Sequence, residues 1–130
     1  FYPSRARARD AVLRGTVSID GEAAAKPSQI VGANNVIAVA DEAQHYVSRA
    51  ALKLKRALHV FGIDVHGRLA LDIGASTGGF TQVLLEQGAA HVTAIDVGHG
   101  QIQVDDPRVT SIEGLNARDL DASHLKHPVD

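Results

Sequence analysis

The stretch Leu69-Ala70-Leu71-Asp72-Ile73-Gly74-Ala75-Ser76-Thr77-Gly78-Gly79-Phe80 constrains the fold of this chain more than any other. A short apolar run, Leu69–Ile73, reads as a strand. It enters a glycine-rich turn, Gly74–Gly79, and leaves it in Phe80–Gln87, which reads as a helix stopped by Gly88. Two further apolar runs, His91–Val97 and Val109–Glu113, read as strands. Strands that alternate with a helix pair in parallel, because a parallel pair needs a long crossover. The expected architecture is therefore α/β, with a doubly wound parallel sheet. Glycines in the first turn let the backbone bend sharply and approach a ligand.

Upstream, Ser48 is placed to cap a helix running to Phe61, stopped by Gly62. Val47, Ala51, Leu54, Leu58 and Phe61 fall on one face of it, and Arg49, Lys53 and Arg56 form a basic stripe on another. Further upstream, Ser4 and Gly15 bracket a short helix crowded with Arg5, Arg7, Arg9 and Arg14. Thr16–Asp20 alternates like a strand, and Asp20-Gly21 is a tight-turn signal leading into Glu22–Lys26. Val36–Ala40 is a third short strand. The organisation expected is a small α+β unit over 1–40, a polar linker over 41–47 and the α/β unit over 48–130.

Charge divides along the chain. Residues 1–60 hold nine Lys/Arg against five Asp/Glu, whereas residues 61–130 hold four against ten. A basic block ahead of an acidic one assigns a polyanion partner to the first. The absence of cysteine excludes a disulfide scaffold, a thiolate metal site and a cysteine nucleophile, and fits a reducing, cytoplasmic compartment. No apolar run approaches the ~18 residues of a membrane span. His124 and His127 lack sequence neighbours that would complete a metal site, so no metal is expected. The chain opens Phe1-Tyr2-Pro3 and contains no methionine, so it is expected to be a piece of a longer protein.

Asp96 ends the second strand 22 residues after Gly74, where a carboxylate accepts both hydroxyls of an adenosine ribose. The loop is not the G-x-G-x-x-G of a dinucleotide site. Asp72, two residues before the first glycine, would repel a pyrophosphate and attract an ammonium. Charge thus favours S-adenosylmethionine over NAD as the ligand. No Gly-Lys-Ser/Thr is present, which excludes a P-loop.

Three segments, Ser48–Leu54, Leu71–Thr81 and Ala94–Gln101, together resemble the TlyA/hemolysin A family. Its members join an FtsJ-like methyltransferase to an S4-type RNA-binding domain. Ser4–Asp10, Gly15, Val17, Gly21 and Lys26-Pro27-Ser28 are similar to the later part of that RNA-binding domain. The implied fold is a Rossmann-like S-adenosylmethionine-dependent methyltransferase, cut short here, preceded by the small α+β domain. The implied activity is 2′-O-methylation of cytidine in ribosomal RNA or ribosomal subunits.

By the same resemblance, Asp72 with Gly74, Ala75, Ser76, Thr77, Gly78, Gly79 and Phe80 holds the methionine end of the donor, and Asp96 holds the ribose. Asn116, in Glu113–Arg118, meets the adenine edge. Lys53 matches the first of the family's Lys-Asp-Lys-Glu catalytic set, and the other three are absent from this chain. Without them the fragment is expected to transfer no methyl group. Lys53 would orient the acceptor hydroxyl, or take its proton if burial and neighbouring charge favour the neutral amine. The RNA-facing residues expected are Arg5, Arg7, Arg9, Arg14, Lys26, Arg49 and Arg56.

A non-catalytic RNA-binding module, a membrane-active hemolysin and an NAD-dependent oxidoreductase are the competing readings. No amphipathic lysine-rich segment supports the hemolysin. An exposed half-sheet edge invites pairing with a second chain, so a homodimer is a further expectation.

Overall fold

A computed structural model describes residues 1–130, which divide into two compact units, Phe1–Gln44 and His45–Asp130. In the first, α1 (Arg5–Leu13) starts where the Ser4 hydroxyl accepts the Arg7 amide, the N-cap expected from the sequence. The helix ends at Arg14, and Gly15 comes next with φ +72°. Beyond it lie three short strands, β1 (Val17–Ile19), β2 (Glu22–Ala23) and β3 (Ile37–Val39), paired antiparallel in the order β2-β1-β3. Asp20 and Gly21 both have positive φ, as a two-residue hairpin turn of this hand requires.

This unit buries little apolar surface: Ala11, Val17 and Ala43 are its buried hydrophobic residues. Polar contacts fill its centre instead. Asp41 accepts two bonds from the Arg14 guanidinium at 2.7 Å each, one from the Tyr2 hydroxyl at 2.7 Å and one from the Ala43 amide at 2.9 Å. The sequence pattern makes residue 41 the start of a solvated linker; in the structure it is the buried polar hub of the first unit.

The rest of the expected linker differs too. A 3₁₀ turn, Glu42–His45, spans it, and Tyr46 is buried in the core of the second unit. The Gln82 side chain clamps this segment, accepting from the Val47 amide and donating to the His45 carbonyl. The Tyr46 hydroxyl donates to Glu86, whose carboxylate also meets Lys55 at 3.5 Å.

In the second unit α2 runs Ala50–Phe61 and stops at Gly62 with φ +62°, the left-handed conformation that glycine adopts at low cost. The helix begins one residue later than expected, with Arg49 at the N-cap; the Ser48 hydroxyl accepts from the Ala50 amide at its start. Ala51 and Leu58 are buried as its periodicity requires, but Phe61, assigned to the same face, is 74% exposed. The strands β4 (Leu69–Ile73), β5 (His91–Asp96) and β6 (Val109–Glu113) are all parallel in the order β4-β5-β6, with Ile73 opposite Ile95 and Asp96 opposite Glu113.

The crossover helix α3 (Gly79–Glu86) joins β4 to β5 and packs on α2. No helix lies between β5 and β6; turns and extended chain fill 97–108. Central β5 buries Val92, Thr93, Ala94 and Ile95, and full burial of a residue such as Ile95 stabilises by about 2–3 kcal/mol. No helix is long and apolar enough to cross a membrane.

Candidate functional site

The C-terminal tips of the three parallel strands carry Asp72, Asp96 and Glu113. At such tips the turns leave the sheet and ligands of open α/β folds bind. The turn after β4 is anchored by the Gly74 and Ala75 amides, which both donate to the Ile95 carbonyl. Gly74, Ser76 and Gly78 all take positive φ. Two glycines are also required by space. A Cβ on Gly78 would lie 2.7 Å from Val104 Cγ2, and one on Gly79 would lie 2.9 Å from Ser48 Cβ.

Above the turn is a depression of about 250 Å³. Ser48 and Ala50, Asp72 to Thr77, Gly79 and Phe80 line it, and none of them is cationic. Asp72 is 6% exposed, and burial pushes its carboxyl above the ordinary carboxylate range. The Thr81 hydroxyl bonds to it at 2.7 Å and works in the opposite direction.

Asp96 is more open. Its Oδ1 accepts the Gly98 amide at 2.7 Å and its Oδ2 the Ser76 amide at 2.8 Å, and those bonds hold it below the ordinary range. Through Ser76 it is tied to the glycine turn, although it does not itself line the depression. Glu113 accepts from the Gly100 and Gln101 amides, which lower it in the same way. The Gly114 and Leu115 amides in turn donate to the Gly98 and Asp96 carbonyls. Asp96 thus ties the turn after β4 to the turn after β5, and Glu113 holds the latter from the next strand.

The expected site residues therefore divide. Asp72, Gly74 to Thr77, Gly79 and Phe80 come together around one depression, while Gly78 is packed beneath Val104. Asn116 is exposed, and its side-chain oxygen caps the 3₁₀ turn Ala117–Asp119 by accepting the Arg118 amide. Lys53 is exposed on α2, one turn beyond Ala50, which lines the depression. Arg49 and Arg56 are exposed on the same helix and its N-cap.

The basic residues of the first unit divide as well. Arg5 and Arg9 line a groove of about 490 Å³ against Pro27 and Ser28, and Lys26 is exposed. Arg7 donates to the Ala43 carbonyl. Arg14, expected to face RNA, is paired with Asp41 and Asp10. The first unit holds five Lys/Arg against five Asp/Glu, so the positive block read from residues 1–60 owes its excess to Arg49, Lys53, Lys55 and Arg56 of the second unit.

Sequence reasoning did not single out Thr81 or Glu113. Glu113 was legible as a strand-end carboxylate followed by glycine, like Asp96 before Val97-Gly98. Thr81 carried no such signal.

Parallel strands joined through a glycine turn, with an acid at each strand tip and no cation in the depression, define the opening βαβ portion of a methyltransferase-type α/β domain. The family profile described as FtsJ-like methyltransferase matches residues 46–130, and the chain belongs to that family.

Among curated proteins, the chain is 47% identical to the 16S/23S rRNA (cytidine-2′-O)-methyltransferase TlyA of Mycobacterium tuberculosis, over 98% of this chain and 49% of that protein. It is 45% identical to Hemolysin A of Brachyspira hyodysenteriae, over 92% of this chain and 51% of that one. A solved structure from Streptococcus thermophilus, described as a hemolysin, superposes with a TM-score of 0.64 at 38% identity, over 96% of this chain and 47% of the other. The chain thus spans about half the length of the curated relatives it matches.

Proposed function

We propose that this chain forms the donor-binding part of a ribosomal RNA ribose methyltransferase that acts on cytidine 2′-hydroxyls with S-adenosylmethionine. The observation that carries the reading is the pairing of two carboxylates on neighbouring strand tips, Asp72 in the depression and Asp96 holding the Ser76 amide of the turn that lines it. The names borne by the similar proteins support the acceptor: TlyA of Mycobacterium tuberculosis is named as a cytidine-2′-O-methyltransferase of 16S and 23S rRNA.

The residues present fit the donor. Asp72 offers a buried negative charge to the α-ammonium, and Asp96 offers two acceptor oxygens to vicinal ribose hydroxyls. At about 250 Å³ the depression suits the amino-acid end of the donor, leaving the adenosine to lie across the tips of β5 and β6. When bound, S-adenosylmethionine supplies an electrophilic methyl group on a sulfonium. The chain's own part is to hold that end still, since positioning alone supplies much of a methyl-transfer rate. Lys53, exposed on α2 one turn beyond Ala50, would orient the acceptor hydroxyl.

Calorimetric titration with S-adenosylmethionine tests the donor site. Saturable heat that NADH does not displace is the expected result, and displacement by NADH would point to an oxidoreductase.

The RNA partner is tested by salt. The groove holding Arg5 and Arg9, the chain's candidate S4-type RNA surface, and the exposed Arg49 and Arg56 offer cations to phosphates. Affinity for a ribosomal RNA fragment should fall steeply as salt rises. Replacing both Arg5 and Arg9 with glutamate should lower the logarithmic salt slope by roughly 1.4–1.8, the value for two lost phosphate contacts. A slope unchanged in that double variant would remove the groove from the interface.

A further inference from the structure

Asp72 is the group that receives the donor's ammonium in the proposed function, and the role of its neighbour Thr81 rests on that assignment. A carboxylate in a 6% exposed position is poorly hydrated, so its charge and its orientation must come from neighbours. The neighbour that supplies both is Thr81. It is the third residue of α3, fully buried, and its Oγ1 lies 2.7 Å from Asp72 Oδ2. A threonine in the first turn of a helix ordinarily turns its hydroxyl to nearby backbone. Here the hydroxyl reaches across to the strand, and the Thr81 amide acts on the same carboxylate.

We propose that Thr81 is a positioning residue for the donor: its hydroxyl fixes the Asp72 carboxylate, so that the remaining acceptor capacity of that group meets the α-ammonium of S-adenosylmethionine. A carboxylate has about four lone-pair sites, so bonds from Thr81 leave room for the ammonium. Three influences act on the charge of Asp72. Burial opposes the ionised form most strongly, Thr81 favours it, and Asp96 on β5 opposes it. The groups beside it in the depression, Ser48, Ala50, Ser76 and Thr77, are uncharged. Removing the Thr81 hydroxyl therefore shifts the acid limb of donor affinity to higher pH, because the form that binds the ammonium is the ionised one.

The test is calorimetric titration of the wild-type chain, Thr81→Val and Thr81→Ser from pH 5 to 8.5, with S-adenosylmethionine and with 5′-methylthioadenosine, which lacks the amino-acid end. Thr81→Val should bind S-adenosylmethionine about tenfold more weakly at pH 7.5, the loss of one hydrogen bond to a charged group. Its acid limb should move up, and its affinity for 5′-methylthioadenosine should not change. Thr81→Ser should restore wild-type behaviour with both ligands. Thermal melting checks that the valine variant folds; if it does not, Thr81→Ala against Thr81→Ser makes the same comparison.

An unshifted acid limb, or equal losses for both ligands, overturns the proposal. A wild-type chain that takes up neither ligand overturns instead the assignment of the donor site on which it rests.

Discussion

Asp96→Ala is expected to weaken S-adenosylmethionine binding by about a hundredfold. Asp96 stands at the tip of the central strand with one oxygen on the Ser76 amide and the other on the Gly98 amide. Those amide bonds, the largest influence on it, hold the carboxyl below its ordinary range, so it is ionised throughout neutral pH. Two vicinal hydroxyls donating to an ionised acceptor contribute about 1.5 kcal/mol each at the low end, which together is close to a hundredfold in affinity. Alanine also releases the turn containing Ser76 and the turn containing Gly98, and both losses act in the same direction. Asp96→Asn keeps one acceptor and loses the charge, so about a tenfold loss is expected. Titration calorimetry, with thermal melting to confirm the fold, gives the numbers. Binding by Asp96→Ala within twofold of wild type would remove the ribose from this strand tip.

The strands of the second unit were legible because each is an apolar run bounded by turn residues. Leu69–Ile73 and Val109–Glu113 coincide with the observed strands, and His91–Val97 loses one residue. Two assignments from local pattern went wrong for different reasons. Periodicity places Phe61 on the buried face of α2, but the helix ends there, with Gly62 already turning the chain away. The polar composition of 41–47 suggested a linker, yet Asp41 and Tyr46 are polar residues whose partners, Arg14 and Glu86, lie 27 and 40 positions away. Local pattern carries no information about such pairs.

The basic stripe illustrates the same limit. Lys55 falls outside the spacing of Arg49, Lys53 and Arg56, and the structure commits it to Glu86 and the Tyr46 hydroxyl. The glycine turn was readable as a turn. That Gly78 and Gly79 are demanded by Val104 and Ser48 became visible only once the chain had folded.

Removing the Asp41 carboxylate is expected to unfold the first unit while leaving the parallel sheet intact. Asp41 has a side chain only 1% exposed, and it gathers Arg14, Tyr2 and the Ala43 amide. Breaking a buried pair costs roughly 3–5 kcal/mol, because the surviving charge is left uncompensated. The Arg14 side chain is 29% exposed, so water relieves part of that, and about 3 kcal/mol is the expected loss in Asp41→Ala. A unit spanning Phe1–Gln44, with so small an apolar core, has little more than that to lose. Hydrogen exchange reads the result residue by residue. The amides of Asp20 and Ala40, bonded to Val36 and Thr16, should lose protection, while those of β5 keep it.

The same hub sets a pH window. The Arg14 guanidinium above all, then Tyr2 and the Ala43 amide, hold Asp41 well below the usual carboxylate range against the opposing effect of burial. A folded value below the unfolded one of about 3.9 means the native unit binds fewer protons in acid. Its contribution is therefore complete above roughly pH 5 and is lost as the pH falls through the folded value. Tyr2 is raised, by burial first and then by Asp41, so its contribution is present below its unfolded value of about 10 and is lost above it. Wild-type amides of the first unit should accordingly lose protection at both extremes before those of β5. Protection of Asp20 and Ala40 that survives in Asp41→Ala at neutral pH would show that the hydrophobic residues alone hold this unit together.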